Sequence, residues 1–199
     1  MSTKYAPPSP EQIVALSCAV VGIGAGGCTS MLARVSIVDY RGQELYDHYV
    51  LPTNTVTDYR TATTGITAEN LHPDSGALAF STVQMQVANL LRGKVVVGHS
   101  LWLDLSVLGI PHPAVHTRDV GLYQPFRNAL QATQLVGLAT LTWRLMRRRI
   151  QDTGVLCPLE NARAALDLYR SHAADWEGAV SSGHWPAYLP PSTFSRCYL

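Results

Sequence analysis

Lysine is nearly absent: Lys4 and Lys94 are the only two in 199 residues, and every other cation is an arginine. Fifteen Lys and Arg against fourteen Asp and Glu leave a formal charge of +1, which gives no strong overall pull on nucleic-acid phosphates. No apolar run reaches the ~18–20 residues of a membrane span, and the opening MSTKYAPPSPEQ lacks an apolar signal-peptide core. These absences predict an intracellular chain without a membrane partner. Cysteine is sparse, and Cys18, Cys28, Cys157 and Cys197 lack the close CxxC or Cys/His spacing of a zinc site. Cys18, within an apolar run, suits a buried free thiol. The ending Cys197-Tyr198-Leu199 is not a prenylation box, which needs its cysteine fourth from the end. No internal repeat is visible.

What is present is an apolar fraction of 47%, enough for a sizeable core in one domain. Residues 1–11 and 179–199 combine proline with little periodicity and read as extended arms around a domain at 12–178. Residues 13–23, 31–40 and 44–51 are rich in Val, Ile, Leu and Tyr, and Arg41-Gly42-Gln43 separates the last two, so a three-strand meander is expected. Residues 77–92 put Phe80, Val83, Val87, Leu90 and Leu91 on one helical face, and 94–98 reads as a short buried strand. A helix after His99, a strand near 115–120 and a helix at 138–149 follow. The last helix opens on Pro158 and carries a stripe of Leu159, Ala162, Leu166, Tyr169, Ala173 and Trp176. Trp102, Trp143 and Trp176 fit helical faces and are expected to pack rather than to stack on bases. A meander followed by helix–strand alternation is an α/β mixed sheet, an antiparallel three-strand part plus parallel strands, flanked by helices.

The segment Met31 to Thr67, together with Val21-Gly22-Ile23-Gly24, Asp58-Tyr59-Arg60, Val97-Gly98-His99 and Glu160-Asn161-Ala162, resembles the RNA exonuclease 4 and interferon-induced exonuclease branch of the DEDDh 3′–5′ exonucleases. That resemblance implies the ribonuclease-H-like exonuclease fold. It also implies two divalent metals held by carboxylates, with a histidine as general base. In such enzymes the first strand carries Asp-x-Glu, a second Asp follows Gly-His, and the last helix begins His-x4-Asp. Here Ser17 and Ala19 stand at the first two positions, Asp104 keeps the third, and Leu156 and Asn161 replace the base and the last acid. Four of the five positions therefore differ from the pattern.

The expectation that follows is an inactive homologue, not an enzyme, with Mg²⁺ or Mn²⁺ lost, no metal site, and a role in binding a protein partner or RNA. One alternative is a cleft reassigned to another small ligand or reaction; a second is a residual metal-dependent exoribonuclease using Asp104. The ligand-binding candidates are Ser17, Arg60, His99, Leu103, Asp104, Leu156 and Asn161. Arg60 either meets a phosphate or anchors its own loop, and His99 is expected to be a hydrogen-bonded structural residue. Glu160 is read as a solvated charge of the helix start, Asp39 and Asp119 as structural acids, and Arg147-Arg148-Arg149 as a solvated helix end. The resemblance suggests the nucleus, with the cytoplasm as the alternative. Oligomeric state and ligand identity are not written in the sequence.

Overall fold

The computed structural model describes residues 5–199, so residues 1–4 of the expected N-terminal arm lie outside it. At its centre runs strand β1 (Ile13–Ile23), whose apolar residues are buried on both faces. It pairs antiparallel with β2 (Thr29–Asp39), which pairs antiparallel with β3 (Glu44–Tyr49). The Asp39 carboxylate closes the intervening turn by accepting the Arg41 and Gln43 amides at 2.8 Å, an Asx-type turn. A short β4 (Val56–Asp58) joins the far end of β1 at Gly22. On the other edge of β1 lies parallel β5 (Val95–Gly98), followed by parallel β6 (Thr117–Asp119). The mixed sheet has six strands: five in the order β3-β2-β1-β5-β6, with β4 off this path against β1.

Each face of the sheet is covered. Ile13 and Ala15 of β1 pack with Ala162, Ala165, Leu166 and Tyr169 of helix α6 (Pro158–Ser171). Val14 and Leu16 pack with Val83, Val87 and Leu91 of α2 (Phe80–Leu91) and with Leu101, Leu105 and Leu108 of α3 (Leu101–Leu108). Burial on two sides explains the near-continuous apolar run of β1; each fully buried Val or Leu contributes about 1.5–3 kcal/mol. The β1–β5 pairing stops at Ala15↔Val97, and the two strands part beyond it. A crevice beyond the carboxyl ends of parallel strands is where open α/β sheets bind ligands.

Several boundaries differ from the sequence reading. The expected helix through Trp176 breaks at His172, whose φ of −131° leaves helical space, and resumes as α7 (Ala173–Ser181). The break turns Trp176 inward, where its ring stacks on Tyr123 at 4.0 Å. The helix expected at 138–149 is α5 (Leu138–Met146), ended by Arg147 in the left-handed region. Two short helices, α1 (Thr61–Thr64) and α4 (Gln124–Ala129), and strand β4 have no counterpart in the periodicity. The C-terminal segment is folded onto the domain: Tyr188 donates its amide to Leu122 O at 2.8 Å, His112 donates to Cys197 O at 3.0 Å, and Cys197 is buried. Among the described residues no helix is long and apolar enough to cross a membrane.

Tying these ends together is a buried cluster around Arg118, which is fully buried. Its guanidinium donates to Glu177 from Nε at 2.7 Å and from Nη2 at 2.8 Å. Tyr169 and Tyr5 also donate their hydroxyls to the Glu177 carboxylate, each at 2.8 Å. Burial opposes ionisation of Glu177, but the hydrogen bonds and charge of Arg118 outweigh it and hold the carboxyl below its usual range.

Candidate active site

Where β1 leaves β5, a cavity of ≈300 Å³ opens, lined among others by Leu16, Ser17, His99, Leu138, Leu156 and Asn161. Ser17 reaches it because it lies on the same face of β1 as Ile13 and Ala15, toward α6. Asn161 lies on the first turn of α6, and the start of α5, Gly137 to Thr140, supplies the opposite wall. Both helices therefore begin at the cavity and turn the positive ends of their dipoles toward it.

The walls are held by specific bonds. His99 Nε2 lies 2.7 Å from Val136 O and, since a carbonyl only accepts, donates to it; Nδ1 lies 3.3 Å from the Ser100 hydroxyl. Neither ring nitrogen is free, and His99 fixes the loop ahead of α5. Ser100 sits at φ +59°, and the turn is held by Asp119, whose carboxylate accepts the amides of Ser100, Leu101 and Gly121 at 2.8–3.1 Å. Burial pushes the Asp119 carboxyl above its usual range. On the other side, Leu156 donates its amide to Thr63 O at 2.7 Å, joining α1 to the segment ahead of α6. Gly65 permits this approach: a Cβ there would lie 2.9 Å from Val155 Cγ1. Gln151, at φ +61°, donates its side-chain amide to Asn161 Oδ1 and its backbone amide to Glu160, both at 2.9 Å. Glu160 is thus a loop anchor, beyond the solvated charge that its position suggests.

Of the predicted site residues, Ser17, His99, Leu156 and Asn161 meet in this cavity, and the others do not line it. Ala19 is buried beside Val21, Ile66 and Leu71. Arg60 donates to Gly27 O and Ser30 Oγ, both at 3.0 Å, and so anchors its own loop. Leu103 is 49% exposed on the outer side of α3. Asp104 lies at the open edge of β1, where its carboxylate accepts the Cys18 amide at 3.2 Å; that amide lies past the end of the β1–β5 pairing. Desolvation raises the Asp104 carboxyl well above its usual range, although the Cys18 amide opposes the shift. Trp143, expected to pack, is 41% exposed. Gln151 and the first turn of α5 were not among the sequence candidates, because neither falls in a motif and each is brought in only by tertiary folding. A larger cavity, ≈480 Å³, lies under the C-terminal segment between Val115, Trp185, Tyr188 and Leu189. Its walls are nearly all apolar.

Hard divalent cations take clusters of oxygen ligands. Among the described residues no three of His, Cys, Asp and Glu come together, and Asn161 Oδ1 is occupied by Gln151. As placed, these side chains do not assemble a two-metal cage, and no chemical step is derived through one.

No family profile matches the chain. It is 38% identical over 193 residues to RNA exonuclease 4 of Xenopus tropicalis, covering 90% of this chain and 45% of that protein. It is 37% identical over 185 residues to the human apoptosis-enhancing nuclease, covering 92% and 56%. Among solved structures, the Saccharomyces cerevisiae Pan2 pseudoubiquitin hydrolase-RNA exonuclease module in complex with A7 RNA aligns with a TM-score of 0.73 at 30% identity, over 92% of this chain and 32% of that one. The chain thus spans about half or less of the length of the curated relatives it matches. These relatives correct two expectations. A chain that is not an enzyme is overturned because proteins at about 40% identity are named as exonucleases and a nuclease. The expected loss of the metals is overturned likewise: it followed from the expectation of an inactive chain, and the relatives are named as exonucleases and a nuclease, for which the resemblance implies divalent metals. Both expectations rested on residue types at five aligned positions, which describe side chains and not activity. Likeness over most of its length and the ribonuclease-H-like mixed sheet agree that the chain belongs to the DEDD-type exonuclease family.

Proposed function

We propose that the chain is the exonuclease-type domain of an RNA-acting protein and that its cleft takes the 3′-terminal nucleotide of a single strand. The observation that carries the reading is the convergence of Ser17, Leu156 and Asn161 on one cavity at the carboxyl end of the parallel strands, with two helix N-termini facing it. A phosphate belongs at those N-termini, where amide groups and the helix dipole favour negative charge. Leu156 and Leu138 offer apolar surface for a base, and the Ser17 hydroxyl and the Gln151–Asn161 amide pair offer hydrogen bonds for a ribose. RNA is preferred to a protein as ligand because the cavity is small, polar on one side and faced by two positive helix ends.

Calorimetric titration with adenosine monophosphate and with a short single-stranded RNA tests this. Wild-type protein is expected to bind both, and Ser17→Trp, which fills the cavity from the floor, to abolish nucleotide binding while leaving the thermal melt near wild type. Equal affinity in the two proteins would overturn the reading. The same RNA incubated with Mg²⁺ or Mn²⁺ and run on a denaturing gel measures whether binding is followed by hydrolysis.

A further inference from the structure

Helix α5 begins in the cleft and ends on the surface. Its buried stripe, Leu138, Leu141 and Thr142, faces the core, and Thr142 binds back to Leu138 O. The opposite side carries Thr140, Trp143, Arg144 and Arg147, all exposed. At ~100° per residue Arg144 lies within about 40° of Thr140 around the axis, and Arg147, exposed in left-handed backbone just past the last turn, ends a strip that climbs ~10 Å from the cleft wall. Thr140 itself lines the cleft, so this strip is continuous with it.

Its chemistry is that of a single-strand track. Trp143 is 41% exposed, a large aromatic where a helix surface ordinarily carries a polar residue. The Arg149 guanidinium lies over its ring at 5.1 Å. Arg148 is held by Asp167, whereas Arg144, Arg147 and Arg149 have no carboxylate partner among the described residues. On a chain of net charge +1, three unneutralised arginines around an exposed indole form a local positive field that the overall composition hides. Aromatic platforms combined with backbone-tracking cations are how proteins hold single strands without reading sequence.

We infer that the outer face of α5 is a binding track for single-stranded nucleic acid, in which a base upstream of the terminal nucleotide stacks on Trp143 and the backbone phosphates meet Arg144 and Arg147. The inference rests on the cleft reading for where the strand ends, but the track is tested separately. A labelled single-stranded RNA long enough to span α5, and a dinucleotide, are titrated into wild type, Trp143→Ala, the double variant Arg144→Gln/Arg147→Gln, and the cavity-filled Ser17→Trp. For the longer RNA, Trp143→Ala is expected to weaken binding about five-fold or more. The double arginine variant is expected to reduce the slope of log affinity against log salt by about 1.4, near 0.7 per phosphate contact on a single strand. Dinucleotide binding should be unchanged by either and lost in Ser17→Trp. RNA should also quench indole fluorescence, and the quench should vanish in Trp143→Phe but survive in Trp185→Phe, which changes the other exposed tryptophan.

Unchanged affinity, salt slope and quench in the α5 variants would overturn the track, whatever the dinucleotide does. Weakening of the long RNA by those variants together with full dinucleotide binding by Ser17→Trp would sustain the track and defeat the cleft reading. Absence of RNA binding by wild-type protein would overturn both. Because Trp143, Arg144, Arg147 and Trp185 are exposed, melting temperatures close to wild type are expected for their variants and confirm that these are folded.

Discussion

Removing the charge of Glu177 tests how the domain holds its ends. In Glu177→Gln the side-chain volume is kept, but Arg118, fully buried, loses its counter-charge and is left with the neutral amide and the carbonyls of Val115 and Thr117. Breaking a buried ion pair on one side costs about 3–5 kcal/mol. For a chain of this size about 2–4 °C of melting temperature go with each kcal/mol, so a fall of roughly 6–20 °C is expected. The double variant Arg118→Met/Glu177→Leu removes both charges and should recover most of the loss, since replacing a whole buried pair by apolar groups is often neutral or stabilising. The pH dependence has a fixed sign. Glu177 is held below its usual carboxyl range in the folded protein, so its contribution is present above the unfolded value and is lost as pH falls through the lower folded value. The stability gap between wild type and Glu177→Gln should therefore be constant near neutrality and shrink on the acid side. Urea unfolding across that range, read by far-ultraviolet circular dichroism, measures it. A cost below about 1 kcal/mol, or a double variant no better than the single one, would refute the reasoning.

Three other substitutions probe the cleft through its supports. Asp119→Ala leaves three inward amides without their acceptor; at about 1–3 kcal/mol for each unsatisfied group, a loss of at least ~3 kcal/mol is expected in urea unfolding, together with weaker nucleotide binding as the His99 turn loosens. Gly98→Ala would place a Cβ 2.9 Å from the Leu16 carbonyl oxygen and against Leu101, so overpacking of about 1–3 kcal/mol and a wider β1–β5 gap are expected, seen as a lower melting temperature and a lower affinity for adenosine monophosphate. Gln151→Ala removes the side-chain bond that holds Asn161 Oδ1 and leaves the backbone bond to Glu160 in place. Nucleotide affinity should fall with little change in stability, and a large stability loss with unchanged affinity would contradict the role given to Gln151.

The sequence made the sheet legible because its strands follow a two-sided burial rule: the run at 13–23 has one plausible structure once a buried central strand is assumed, and the Arg41-Gly42-Gln43 turn joins the next two strands into a hairpin. Helix α6 was legible from Pro158 and the apolar stripe. The break at His172 was not, since Ala173 and Ala174 continue a helix as well as any residue and only the docking of Trp176 on Tyr123 decides against it. Helical spacing likewise gives Trp143 a face but cannot say which face meets a neighbour, so an exposed indole read as packing. Ser17, Leu156 and Asn161 came together because the motif spacing of the resemblance carried them. Gln151 escaped because a residue in left-handed backbone on a loop leaves no periodic trace, and Arg118 because a buried cation is recognisable only with its partner in view. Reading activity and metal use from residue identities at a few positions failed for another reason: a side-chain substitution is a statement about one group, and the relatives bear on the whole chain.

Strand β1, hydrogen-bonded on both edges over part of its length and packed on both faces, has a consequence for how the cleft moves. Local opening follows contact density, and central, doubly covered strands open only with the whole domain. Amides of Ala15 and Leu16 should therefore be among the slowest to exchange with solvent, while those of the 147–157 segment, held to the body by a few loop bonds, exchange through small local openings. The cleft then has a floor that does not breathe on the timescale at which its walls do. Nucleotide bound against Gln151 and Leu156 would be read as protection appearing in that segment, with none gained beneath it.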